Sequence, residues 1–377
     1  MFDKGDIFAA VEAGAISKEN ATRFEAFLKA RNDPERMLDP ENLRFLSNFN
    51  DVFLTIGIVV LMTGLGFLSW IGVSNILNVE GATSGPTTQA AINTMKLAVT
   101  LTPIPLLAGA WLLAEYFCGK RRLLLPSMAL SVTIVSSAAA LMAAILVPAN
   151  ERDVELLSND FGSFVSTMSY GAFGAAALAA GAIFWRFRLP FSLFLLAGSI
   201  AGLFYTALAR INNGDLIIGG TAMLIAGLVT LGVGIWFDSR DPQRVTRMAD
   251  HAFWLHLAAA PQIIFGVRGL VLGSGFEEAS AADSTVMLVV LVFFALVSLA
   301  LNRRALIVSG LVSFATALFV LVNEVGGGGL NTLMLTALIV GGAIVLLGGG
   351  WRTARRFVLK LVPATGITGR IFPPEPA

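Results

Sequence analysis

Both histidines of the chain fall in one stretch, Asp250-His251-Ala252-Phe253-Trp254-Leu255-His256-Leu257-Ala258-Ala259-Ala260-Pro261-Gln262, and there the sequence comes nearest to chemistry. Imidazole changes charge near neutral pH, so His251 or His256 could titrate or relay a proton. The plainer reading is a hydrogen bond to the end of a neighbouring helix. A spacing of five residues does not suit a shared metal ion, for which i and i+4 is the usual helical arrangement. Pro261 has no amide hydrogen and frees the carbonyl one turn before it, and Gln262 could serve a freed group or a ligand.

A second group is ionic. Lys96, Arg210, Arg268 and Glu324 lie at similar depth, at or just inside the same end of long apolar segments. Together with Gln262 they could form an outward-facing polar site for an anionic solute or a lipid headgroup, with Glu324 as counter-charge. Taken singly, long cationic side chains there also reach the membrane–water interface without binding anything. Glu115, close to Lys120-Arg121-Arg122, reads as an ion-pair partner rather than a catalytic acid.

Other chemistry is missing from the sequence. There is no Gly-x-x-x-x-Gly-Lys phosphate loop, no Gly-x-Ser-x-Gly, no His-Glu-x-x-His and no acidic pair inside an apolar segment. Cys118 is the single cysteine, so neither a disulfide framework nor a cysteine-rich metal centre is expected within one chain. No catalytic residue, metal or cofactor is assigned, and an enzyme is not the expected class. A net charge of +1 argues against a nucleic-acid binder.

The elements that must position these residues follow from composition. Of 377 residues, 56% are hydrophobic and 14% charged, and the apolar residues come in runs of about 20, the length that crosses a hydrocarbon core. The runs predict an all-α, polytopic transmembrane bundle of ten spans at 52–77, 96–118, 123–147, 163–185, 189–209, 215–237, 252–273, 284–301, 305–323 and 330–350. Of the 26 Lys and Arg, only Lys96, Arg152, Arg210 and Arg268 then fall on one side of the membrane. That asymmetry orients both termini to the cytoplasm. Residues 1–50 form a cytoplasmic helical segment, 51–351 the bundle and 352–377 a cytoplasmic tail. No secretory signal is read ahead of the first span.

Within the first segment, Gly14 closes one short helix, Ser17 caps a second and Asp39-Pro40 starts a third. In the bundle, Pro103 and Pro105 are expected to bend the second span, and Pro261 the seventh, with Gln262 turned toward other helices. Arg188 through Trp236 and Arg304 through Trp351 share one layout: arginine, helix, polar turn, glycine-rich helix, tryptophan. These are candidates for repeated parallel hairpins.

Ser47-Asn48-Phe49-Asn50-Asp51-Val52-Phe53, the stretch His251 to Pro261 and Gly14-Ala15-Ile16-Ser17 together resemble segments of an uncharacterised family of bacterial multi-span inner-membrane proteins, a domain of unknown function. The resemblance implies a bacterial inner-membrane location and supplies no activity. The sequence therefore points to a transporter-like or lipid-handling protein, contacting membrane lipids and an anionic solute or headgroup. The competing expectation is a non-catalytic scaffold or accessory subunit, with residues 1–50 as a surface for a protein partner.

Overall fold

The computed structural model describes residues 11, 13–14, 16–17, 19–24, 49–85, 88–147, 161–211, 216–241, 246–272, 281–326 and 329–360. The chain divides into two compact units, Met1–Ser47 and Asn48–Ala377. In the smaller unit Gly14 adopts φ 69°, and its amide donates to the Val11 carbonyl at 3.1 Å. Ser17 Oγ accepts from the Asn20 amide at 3.2 Å, the capping bond expected of it. The third expected helix, starting at Asp39-Pro40, lies outside the described residues.

The larger unit is helical throughout its described residues. Helix α1 (Phe49–Ile76) is followed by the short α2 (Val79–Thr83), then by α3 (Gln89–Leu101) and α4 (Pro103–Ala114). Thr102 joins α3 to α4, and Ser69 Oγ of α1 donates to its carbonyl at 2.8 Å. Pro103 is the first residue of α4, where its missing amide hydrogen costs nothing. Helix α4 runs into a π-helical segment, Glu115–Arg121, that the sequence did not announce. Next come α5 (Leu124–Leu146), α6 (Phe161–Phe187), α7 (Phe191–Ile211), α8 (Leu216–Arg240), α9 (Arg247–Leu272), α10 (Ala281–Leu301), α11 (Arg304–Gly326) and α12 (Leu330–Leu359).

Eight helices in the described residues are long and apolar enough to cross a membrane, the mark of an integral membrane protein. The expected spans 252–273 and 305–323 are also helices, α9 and α11, but fall outside that set. Polar Asp250, His251, His256, Gln262 and Arg268 dilute α9, and the described apolar part of α11 is Ser313–Asn323. Large apolar side chains point outward along α1 and α12, with Phe67 67% and Leu346 75% exposed. Such faces are costly in water and cost nothing in acyl chains. Helix α12 continues through Leu359, past the expected end of the last span at 350.

Three connections at one end of the bundle share a backbone device. Arg122, Arg188 and Asn302 adopt φ of 54°, 53° and 53°, left-handed residues that stop one helix so that the next can start within a few residues. The residues that follow are Leu123, Leu189 and Arg303. A serine hydroxyl satisfies each carbonyl: Ser127 for Leu123, Ser192 for Leu189 at 2.7 Å and Ser298 for Arg303 at 2.5 Å. Two of these slots hold leucine. The third holds a charge.

Helices α8 and α9 approach through glycines. Gly220, Gly227 and Gly234 recur every seven residues of α8 and so lie on one face. A Cβ on Gly220 would stand 3.0 Å from the Gly266 carbonyl oxygen, and one on Gly227 2.8 Å from the Ile263 amide nitrogen. Their neighbours on α9 are Gly266, Gly269, Ile263, Gln262 and His256, and Ala252, Ala259 and Ala260 of that helix are fully buried. Small residues on both sides let the two backbones meet, as they do in helix pairs that lack a hydrophobic driving force.

Candidate functional site

Gly234 and Asp238 are one turn apart on α8, and what the glycine admits the aspartate binds. The His256 ring of α9 rests on Gly234, where a Cβ would lie 2.9 Å from Cε1 and 3.0 Å from Nδ1. In that position His256 Nε2 is 2.9 Å from Asp238 Oδ2. Arg303, from the turn between α10 and α11, reaches the same carboxylate with two donors. Its Nε–H donates to Oδ2 at 3.0 Å and its Nη2 to Oδ1. Nη2 also lies 3.4 Å from the Ala249 carbonyl oxygen at the start of α9.

All three side chains are shut in: His256 is 0%, Arg303 2% and Asp238 7% exposed. An ionised carboxylate only accepts hydrogen bonds, so its His256 partner carries its hydrogen on Nε2. Asp238 and Arg303 then cancel, and the cluster with a neutral imidazole has no net charge. Leaving one partner of such a pair buried alone costs about 3–5 kcal/mol. The cluster therefore ties the α10–α11 turn to both α8 and α9.

Further along the same α8 stripe stands Thr230, two turns from Asp238, or roughly 12 Å. Its hydroxyl lies 2.8 Å from the Ala226 carbonyl oxygen and 3.1 Å from Gln262 Oε1. Gln262 is buried against α8, turned toward helices as expected of it, and its Nε2 has no hydrogen-bond partner among the described residues. Pro261 beside it is exposed, within a helix that continues through it. His251 is half-buried, with the Phe184 and Phe237 rings at 5.7 Å and 5.4 Å, and neither ring nitrogen has a described hydrogen-bond partner.

Two of the other expected site residues have described side chains. Lys96 is half-buried on α3, which packs on α1, α2, α4 and α5. Arg268 is exposed on α9, which packs on α7, α8, α10 and α11. The side chains of Arg210 and Glu324 lie outside the described residues. Glu115 pairs with Arg186 at 2.8 and 3.0 Å, joining the π-helical segment after α4 to the end of α6. No group of three metal-ligating side chains occurs among the described residues.

Sequence reasoning missed Asp238 and Arg303. Charge pattern alone groups Arg303 and Arg355 with the basic residues that flank apolar segments, yet both are buried, at 2% and 3% exposed. Comparison with protein-family models, curated proteins and solved structures finds no match.

Proposed function

We propose that this chain is a ten-span protein of the bacterial inner membrane with both termini cytoplasmic, transporter-like or lipid-handling, and that its working site is Asp238, His256 and Arg303. The observation that carries this reading is a carboxylate, an imidazole and a guanidinium buried together where two helix pairs meet. Ionisable side chains shut away from water at the end of a membrane bundle are costly, and those of membrane helices concentrate on ion and substrate pathways. Apolar residues of similar volume would hold the same helices at least as firmly, so packing alone does not account for the trio.

The threading draws support from its contacts. The Glu115–Arg186 pair, the Asp238 cluster and the Trp351–Asn302 bond of 2.9 Å all join helix ends that ten alternating spans put on one side. That side is the arginine-rich one. There Arg240 lies 3.8 Å from the Trp236 ring centroid and Arg186 5.4 Å from that of Phe187, the aromatic and cationic mixture of a membrane interface. The outer cations are weaker support for an anionic ligand, because the helices carrying Lys96 and Arg268 have different neighbours.

The scaffold reading has one observation of its own: Gly341, Gly342 and Gly348 to Gly350 of α12 have nothing within 4 Å of a built Cβ, leaving space for a partner helix. Reconstitution separates the two. Vesicles of phosphatidylethanolamine and phosphatidylglycerol should show faster uptake of an anionic solute, or faster lipid exchange between leaflets, with the wild-type chain than with Asp238→Asn. A folded wild-type protein that accelerates neither, across a panel of solutes, turns the assignment to a scaffold.

A further inference from the structure

We propose that His256 is a proton-binding site, and that the proton it takes up displaces Arg303 from Asp238 and releases the α10–α11 turn from the α8–α9 pair. This rests on the reading that the cluster is the working site, and it names the ion to which that site responds.

The argument is a count of bonds and charges. Asp238 Oδ2 already accepts from His256 Nε2–H at 2.9 Å and Arg303 Nε–H at 3.0 Å, so the imidazole can gain a proton only at Nδ1. That edge packs against Gly234, away from the carboxylate. Protonation converts a neutral cluster to one of charge +1. With exposures of 0%, 2% and 7% it is shut away from bulk solvent. An uncompensated ion in such a place must be removed or re-paired. One group can go: His256 is held in the body of a 26-residue helix, whereas Arg303 is a long side chain on a turn at the arginine-rich end. Departure of the guanidinium leaves an imidazolium on a carboxylate, neutral again.

The other charged groups on the packed elements include Arg352, Arg355 and Arg356 of α12, of which Arg355 is buried. On α8, Arg240 stacks on Trp236, and the Asp241 carboxylate accepts from the Thr246 amide and hydroxyl at 2.8 and 2.6 Å. On α9 itself Arg247, Asp250 and His251 lie nearer the helix start, and Arg268 near the other end. α7 carries only Arg210, α10 only Asp283, and α11 only Arg304 and Glu324, of which Arg304 alone is at this end. What Arg303 releases is defined as well. The turn is tied to α12 by Trp351 Nε1–H donating to Asn302 Oδ1, so its loosening is passed to that helix while α9 stays packed on α10 and α11.

The full chain has only two histidines, so nitrogen-15 histidine labelling in lipid nanodiscs reads both, and His251→Gln leaves His256 alone. Between about pH 8 and pH 5, His256 should pass from the Nε2–H tautomer to imidazolium. Over the same range hydrogen exchange of the turn amides at 302–306 should speed by about tenfold beyond its intrinsic pH dependence. His256→Gln, which still donates to Asp238 but does not titrate, should hold the turn's exchange steady. A His256 that stays neutral throughout, or one that titrates while the turn keeps its protection, overturns the proposal. If His251→Gln does not fold, the two-signal wild-type spectrum and its exchange decide the matter. A titrating His256 without solute movement in vesicles leaves the proton site standing and fells the transport reading. Uptake lost in Asp238→Asn while His256 stays neutral does the reverse.

Discussion

Glycine is used in opposite ways at the two ends of this fold. In α8 the residues at 220, 227 and 234 are filled against α9, whereas in α12 those at 341, 342 and 348 to 350 face open space. Glycine-rich composition in a membrane helix is therefore no guide to where helices meet. What separates the two is register: the α8 glycines fall on one face and meet α9 at Gly266, Ile263 and His256, with the polar Thr230 and Asp238 on the same side. The α12 glycines come in clusters that wind round the helix, while its inward face is made of Thr332, Thr336, Trp351 and Arg355. The α8–α9 seam should hence be sensitive to single atoms and α12 should not.

The largest expected effect lies at the charged end of the seam. Arg303→Ala strands Asp238 in a buried position and should cost about 3–5 kcal/mol of stability. Asp238→Asn combined with Arg303→Ala removes both charges and should recover most of that loss. Thermal or denaturant unfolding in detergent of the two singles and the double measures the coupling directly. Losses that simply add would mean that the pair does not hold the turn.

How much of this could be read beforehand depends on the range of the interaction. The helices were legible because a run of about 20 apolar residues must be helical in lipid whatever surrounds it, and Ser17 marks a helix start through local chemistry, whereas Pro103, expected to bend the second span, begins α4. His256 and Gln262 were legible as polar side chains with no place in lipid. Asp238 and Arg303 were not, being 65 residues apart and sitting in boundary segments where arginine is ordinary. One clue was present: Arg303 follows a tight turn in the slot that Leu123 and Leu189 fill elsewhere, so a charge there faces inward. The π-helical segment at Glu115–Arg121 left no mark in composition, since it is set by how the chain leaves α4 for a left-handed residue at Arg122.

A smaller effect tests the register argument itself. Gly227→Ala puts a methyl group against the Ile263 backbone, where it can be accepted only if α8 and α9 move apart. Overpacking of this kind costs about 1–3 kcal/mol. Gly348→Ala meets nothing within 4 Å and gains the better helix former, so it should be neutral or stabilising by up to about 1 kcal/mol. Equal effects of the two substitutions would erase the distinction drawn between the helices.

The smallest effect belongs to the other interhelical ion pair, and it sharpens the comparison because the chemistry is the same and only the burial differs. Glu115 and Arg186 form a two-point bond as Asp238 and Arg303 do, yet their side chains are 35% and 52% exposed. Water and salt already solvate both groups, so breaking the bond returns them to a medium that accepts them. Glu115→Gln should therefore cost less than about 1 kcal/mol and lose even that at high salt. Arg303→Ala should be insensitive to salt, because no counter-ion reaches the carboxylate it leaves behind. Unfolding of both variants in low and high salt makes the measurement. A Glu115→Gln loss as large as that of Arg303→Ala would show that the geometry of the bond, and not its removal from water, sets the energy of the buried cluster.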